Sequence, residues 1–196
     1  MVQKIDVNRE SPSQTAGPYV HIGCTPGVDG LEIYPHDLGS QMIRGDVSGE
    51  RITIKGAVHD GTGMALRDAL VEIWQADSEG RFAKGPDAPF TGFGRSAGDM
   101  TTGEFTFQTI KPGRVAFPDG RMQAPHILFW IVARGINLGL QTRMYFADED
   151  NSDDPVLSRI EHASRIPTLL AQPQGDGVYR FDIHLQGPQE TIFFDC

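Results

Sequence analysis

Six histidines, four tyrosines and two cysteines are among the residues through which this chain of 196 could bind a metal or form a covalent intermediate. His126 invites a metal reading, because it opens the apolar run Ile127–Ala133 (ILFWIVA). Side chains alternate across a strand, so a second ligand on the same face belongs two positions on. That position holds Leu128. No HxH or HExxH pair occurs, and Thr109–His126 contains no tyrosine that could supply a phenolate. His126 is therefore either one member of a site completed from elsewhere or a core histidine bonded to backbone; a lone strand histidine is more often the second. Nucleophilic chemistry has less support. Cys24 and Cys196 lie in no CxxC pair and beside no activating signature. We read no nucleophile elbow. Gly61-Thr62-Gly63 is a hairpin turn, since no GK[ST] follows it.

Two polar features resist a purely structural reading. Arg134 closes the apolar run. Buried, its charge needs a partner or a ligand; at a strand end it can instead reach water. The segment Thr15-Ala16-Gly17-Pro18-Tyr19 sets a Gly-Pro bend between two compact hydrogen-bonding side chains. It is either a turn that anchors an N-terminal arm or a preformed wall of a small-molecule pocket, approached closely at Gly17.

Positioning these residues falls to a β scaffold. Residues 1–50 are rich in Gly, Pro, Asp and Ser and show little periodicity, so they read as an extended arm packed on the body or on another chain. From residue 51 the pattern alternates. Ile52, Ile54 and Val58 mark one strand, and Leu70–Trp74 a second, with Leu70, Ile73 and Trp74 as core residues. Gly103–Ile110 alternates around Phe105 and Phe107. Ile127–Ala133 reads as a strand buried on both faces, and Thr142–Phe146, Tyr179–Leu185 and Thr191–Phe194 complete the set. Short strands divided by Gly, Pro and Asp turns predict an all-β fold, an antiparallel sandwich over 51–196. One helix is expected after Asp153-Asp154-Pro155, carried by Val156, Leu157, Ile160 and Ala163 and ended by Pro167.

Composition bounds the function. With 39% hydrophobic and 22% charged residues the chain reads as one globular domain. No apolar run approaches the ~18 residues of a spanning helix, and MVQKIDVNRE is no export signal. The expected location is the cytoplasm, with free thiols rather than a Cys24–Cys196 disulfide. A net charge of −9 without a basic stripe speaks against nucleic acid. Asp148–Asp154 (DEDNSDD) lacks the spacing of a calcium loop and reads as a solvated loop capping the next segment.

Taken together, Ser13–Gly23 (SQTAGPYVHIG), Val71–Asp77 (VEIWQAD), Thr109–Gly113 (TIKPG), Ala124–Ile127 (APHI), Ala133–Asn137 (ARGIN), Thr142–Phe146 (TRMYF), Tyr179–Gly187 (YRFDIHLQG) and the final ETIFFD resemble the intradiol ring-cleavage dioxygenases. The likeness runs in order along nearly the whole chain. The family's catalytic chains hold ferric iron with two tyrosines and two histidines. One tyrosine follows the TIKPG-like turn by two positions, and the histidines lie in an RPxHIH motif. Here the tyrosine position is Val115, the motif's arginine is Gln123, its first histidine is His126 and its second is Leu128. Hard ferric iron needs anionic oxygen donors together with imidazoles. The resemblance therefore implies a non-metal alpha chain, with Fe(III) carried by a beta partner and no metal ligand here. It implies an active site between the two chains, lined from this side by Thr15, Gly17, Pro18, Tyr19 and Arg134. It also implies protocatechuate and dioxygen as substrates, with Arg134 favouring the anionic substrate. Two alternatives differ in class: an intradiol enzyme for another catechol, and a stand-alone sandwich binding module of transthyretin type.

Overall fold

The computed structural model describes residues 15–17, 19–85 and 87–195. Eleven strands account for most of the regular structure: β1 (Arg51–His59), β2 (Leu70–Trp74), β3 (Phe93–Ala97), β4 (Glu104–Ile110), β5 (Val115–Ala116), β6 (Met122–Gln123), β7 (His126–Val132), β8 (Leu140–Phe146), β9 (Leu170–Gly175), β10 (Val178–Arg180) and β11 (Ile183–His184). Nine of them form one sheet in the order β11-β1-β10-β9-β8-β7-β2-β3, with β4 also paired to β1; β5 and β6 make a separate ribbon. The all-β expectation holds. The purely antiparallel one does not, because β1 pairs in parallel with β10 and β11, and β8 with β9. β9 runs with β8, and a tight hairpin through Gly175, Asp176 and Gly177, all at positive φ, lays β10 alongside β1.

The sheet curls so that its two halves share one core. Ile54, Phe105 and Phe107 of β1 and β4 meet Ile73, Phe129, Ile131 and Met144 of β2, β7 and β8. Phe129 is central, with ring centroids 6.0 Å from Phe105, 6.3 Å from Phe107 and 5.2 Å from Phe181. On the other side of β7 and β8 a smaller cluster packs Ala124, Tyr145, Leu157 and Leu169 against Ile192 and Phe194.

Several sequence expectations are corrected here. β7 is buried along its length on one face only: Ile127, Phe129 and Ile131 point inward, while the other face carries buried His126, half-buried Leu128 and Val132 and exposed Trp130. Trp74 lies on that same outer face and is 39% exposed, so it is not a core residue. The segment Tyr179–Leu185 is split between β10 and β11, and Thr191–Phe194 forms no strand, only a single bridge from Phe194 to Gln141. The expected helix after Pro155 is two 3₁₀ turns, Leu157–Arg159 and Ala163–Leu169, with Pro167 inside the second. Proline lacks the N–H that would continue an α-helical ladder. Its capping aspartate is nevertheless real, since Asp154 accepts from the Val156 and Leu157 amides at 2.8 and 2.9 Å. Asp154 is wholly buried, so DEDNSDD is not simply a solvated loop. The one α-helix among the described residues, α1 (Tyr19–Cys24), lies instead within the N-terminal segment. That segment is otherwise irregular but touches the core through Met42 and bridges Ile43 to Phe90. Cys24 carries a free thiol; Cys196 lies outside the described residues. No helix among the described residues is long and apolar enough to cross a membrane.

Candidate functional site

Arg134 sits at the corner where β7 ends. The Ile136 amide donates to the Ala133 carbonyl at 3.2 Å, and Gly135 has φ +85°, as the third position of a type II turn requires. Thr15 locks onto this corner from the arm. Its hydroxyl donates to the Ala133 carbonyl at 3.3 Å and accepts from the Gly135 amide at 2.9 Å. The structure thus brings Thr15 and the turn of Arg134 together across 118 residues of sequence. Arg134 is 65% exposed and forms an ion pair through Nε with Asp68, which is 8% exposed. The register explains that pair: Leu70 opposes Val132, so two residues beyond the ladder Asp68 opposes Arg134. Asp68 was not singled out from the sequence; the antiparallel pairing of Leu70–Trp74 with Ile127–Ala133 was the signal that could have found it.

The rest of the predicted wall is less engaged by this chain. Tyr19 opens α1 and is 78% exposed. A Cβ at Gly17 would meet no atom within 4 Å. Pro18 lies outside the described residues. A cavity of about 730 Å³ opens between this segment and β3, bordered by Cys24, Tyr34, His36 and Arg95, but neither Thr15 nor Arg134 borders it.

The second cluster surrounds His126. The β7–β8 register sets His126 opposite Tyr145 and Leu128 opposite Arg143. The His126 ring is 5.7 Å from the Tyr145 ring, and its Nδ1 is 2.8 Å from the Ala124 carbonyl. Burial lowers the His126 pKa, with Arg143 adding to the effect, so the ring is neutral at physiological pH. Burial and Asp154 raise the Tyr145 pKa, which keeps the phenol protonated; its hydroxyl donates to Asp154 Oδ1 at 3.3 Å. Asp154 also accepts from the Ala124 amide at 2.8 Å. Arg143 donates through Nη1 to Gln123 Oε1 at 2.8 Å and lies over the Phe194 ring.

These donors do not fit ferric iron. One neutral imidazole and one protonated phenol are present, Val115 and Leu128 stand at two positions where the family resemblance would put ligands, and a guanidinium lies among them. Among the described residues no group of three or more His, Cys, Asp or Glu is placed to hold a metal ion. Nor is there a nucleophile elbow among the described residues. The letters Gly94-Arg95-Ser96-Ala97-Gly98 do match GxSxG, but they run along β3 and its end. Ser96 Oγ donates to the Ala97 carbonyl at 3.0 Å, and no helix follows.

Comparison with known proteins finds relatives over nearly the whole chain. A family model described as "Dioxygenase" matches residues 32–187. The protocatechuate 3,4-dioxygenase alpha chain of Pseudomonas putida is 43% identical over 198 residues, which span 97% of this chain and 98% of that one. The alpha chain from Burkholderia cepacia is 40% identical over 95% of this chain and 98% of its own length. The beta chain from Burkholderia cepacia is 34% identical, covering 84% of this chain and 77% of its own. Among solved structures, the dioxygenase domain of a carbohydrate-binding fusion from Streptomyces superposes with a TM-score of 0.56 at 23% identity, over 93% of this chain and 100% of that one. Catechol 1,2-dioxygenase from Pseudomonas arvilla gives 0.59 at 23% identity, over 76% and 56%. At such identities the structural likeness speaks for the fold.

Proposed function

Because this chain belongs to the intradiol ring-cleavage dioxygenase family, we propose that it is the alpha, non-metal-binding chain of a protocatechuate 3,4-dioxygenase. In this reading a beta chain carries Fe(III), and the substrate pocket forms where the two chains meet in a cytoplasmic complex. The complex opens protocatechuate between its two hydroxylated carbons and adds both atoms of dioxygen, giving 3-carboxy-cis,cis-muconate. The metal's chemistry belongs to the partner. This chain supplies shape and fixed charge: Thr15, Gly17, Pro18 and Tyr19 form one wall, and Arg134 offers a cation to the anionic substrate. Residues 51–196 act as a two-layered sandwich, with residues 1–50 as an arm reaching across the partner.

The observation that carries the proposal is the clasp of Thr15 on both sides of Arg134, through the Ala133 carbonyl and the Gly135 amide. It joins the two segments implicated in the pocket and leaves Arg134 largely exposed, at the place where a second chain would close the site. A guanidinium held in a partly dry pocket favours a carboxylated catecholate over a neutral one. Preorganisation of that charge is what this chain adds to the rate. The test is co-expression with the beta chain and measurement of protocatechuate-dependent oxygen uptake. Arg134→Ala should lower kcat/KM by about tenfold, the scale of one charge-assisted hydrogen bond. Unchanged kinetics would return Arg134 to a structural role.

A further inference from the structure

We propose that Arg143 is the internal cation of a relict metal pocket, and that its guanidinium excludes metal from this chain even where ligands are restored. The observations come from two facing strands. Leu128, at the second histidine position of the family motif, is directly opposite Arg143 in the β7–β8 ladder, and His126 is directly opposite Tyr145. Side chains so opposed lie about 5 Å apart at Cβ. Any cation held between His126 and a histidine introduced at 128 would therefore share its space with the guanidinium. Arg143 is anchored there. It donates to Gln123 Oε1 at 2.8 Å and rests over Phe194, its Cζ 5.9 Å from the ring centroid. Gln123 occupies the position where the family motif carries its own arginine. Here Gln123 of β6 accepts the hydrogen bond, and the guanidinium comes from β8. The local charges are already matched, since Asp154 is buried and takes hydrogen bonds from the Tyr145 hydroxyl and the Ala124, Val156 and Leu157 amides. No uncompensated negative charge is left to recruit a metal.

Loss of ligands alone predicts a different outcome from loss of ligands plus a resident cation. Cobalt(II) is a suitable probe because its absorption reports coordination without turnover. The full-length chain would be titrated as wild type, as Leu128→His, and as Leu128→His with Arg143→Gln, with circular dichroism and thermal melting confirming that each folds. A unit charge about 6 Å from a divalent ion weakens binding about tenfold even at the dielectric of water. Leu128→His alone should therefore bind cobalt at least about tenfold more weakly than the double variant. The double variant should show the ligand-field bands of a nitrogen- and oxygen-coordinated ion. Equal affinities in the two variants would overturn the proposal, because the guanidinium would then exclude nothing. A folded double variant that holds no cobalt would also overturn it, since ligand loss alone would account for the empty site.

Discussion

His126 shows what burying a histidine costs a fold. Burial, with the nearby charge of Arg143 adding to it, holds its ring pKa below the ordinary 6.5. The unfolded chain therefore binds a proton before the folded one does, and stability rises with pH across that window. The contribution of the neutral ring is complete above about pH 6.5 and is lost as pH falls from there through the folded pKa. His126→Gln should remove this part of the acid sensitivity. Between about pH 6.5 and pH 5 the melting temperature of the wild type should fall faster than that of the variant. The pKa of His184, lowered by burial and by His59, contributes equally to both proteins and cancels in the comparison. Parallel curves would show that His126 is not held in the neutral form. If the iron sits on the beta chain as proposed, the same variant should leave the iron content of the co-purified complex unchanged.

Elements were legible where one face is buried and opaque where geometry alone decides. The alternation of Ile52, Ile54, Phe105 and Phe107 marked β1 and β4, and the apolar run Ile127–Ala133 marked β7, all of which line the core. β3 was missed because Gly94, Arg95 and Ser96 carry no alternating apolar signal, and β9 because Pro173 and Gly175 read as a loop. The Thr15 clasp was invisible for a related reason, since it joins segments far apart in sequence through polar groups that leave no periodicity, and the Asp68–Arg134 pair follows only once the β2–β7 register is known. Gly56 gives a test at this scale. It lies in β1 opposite Phe105, and a Cβ there would run into the Phe181 carbonyl oxygen and the Phe105 ring. Phe181 donates its amide to the Lys55 carbonyl where the chain passes from β10 to β11. Gly56→Ala should therefore force β1 and the β10–β11 segment apart. A loss of about 3 kcal/mol, at the upper end of overpacking penalties, is expected in denaturant unfolding. A loss under about 0.5 kcal/mol, the range of ordinary surface changes, would mean that the sheet yields freely at this point.

The whole molecule has a surface divided by chemistry. Its net charge of −9 keeps it soluble and away from polyanions. Yet large apolar side chains stand exposed, and among the described residues they concentrate in one stretch: Tyr19, Val28, Leu31, Ile33, Tyr34 and Leu38. Further exposed apolar groups, Trp74 and Trp130, lie on the outer face of β2 and β7, which ends at the Asp68–Arg134 pair. Large apolar side chains exposed in such number along one stretch are what a surface for contact with another protein presents. A permanent interface is typically large and apolar. If the arm is part of the proposed alpha/beta contact, residues 19–38 should exchange amide hydrogens much more slowly in the co-purified complex than in the chain alone. The chain alone should hold no stoichiometric iron and show no phenolate-to-iron colour, whereas the complex should show both. Burgundy colour in the isolated chain would place the metal here and defeat the alpha-chain reading. Iron and colour in the complex, with residues 19–38 exchanging as fast as in the free chain, would keep that reading and move the contact off the arm. The outer face of β2 and β7 would then be the surface that meets the partner.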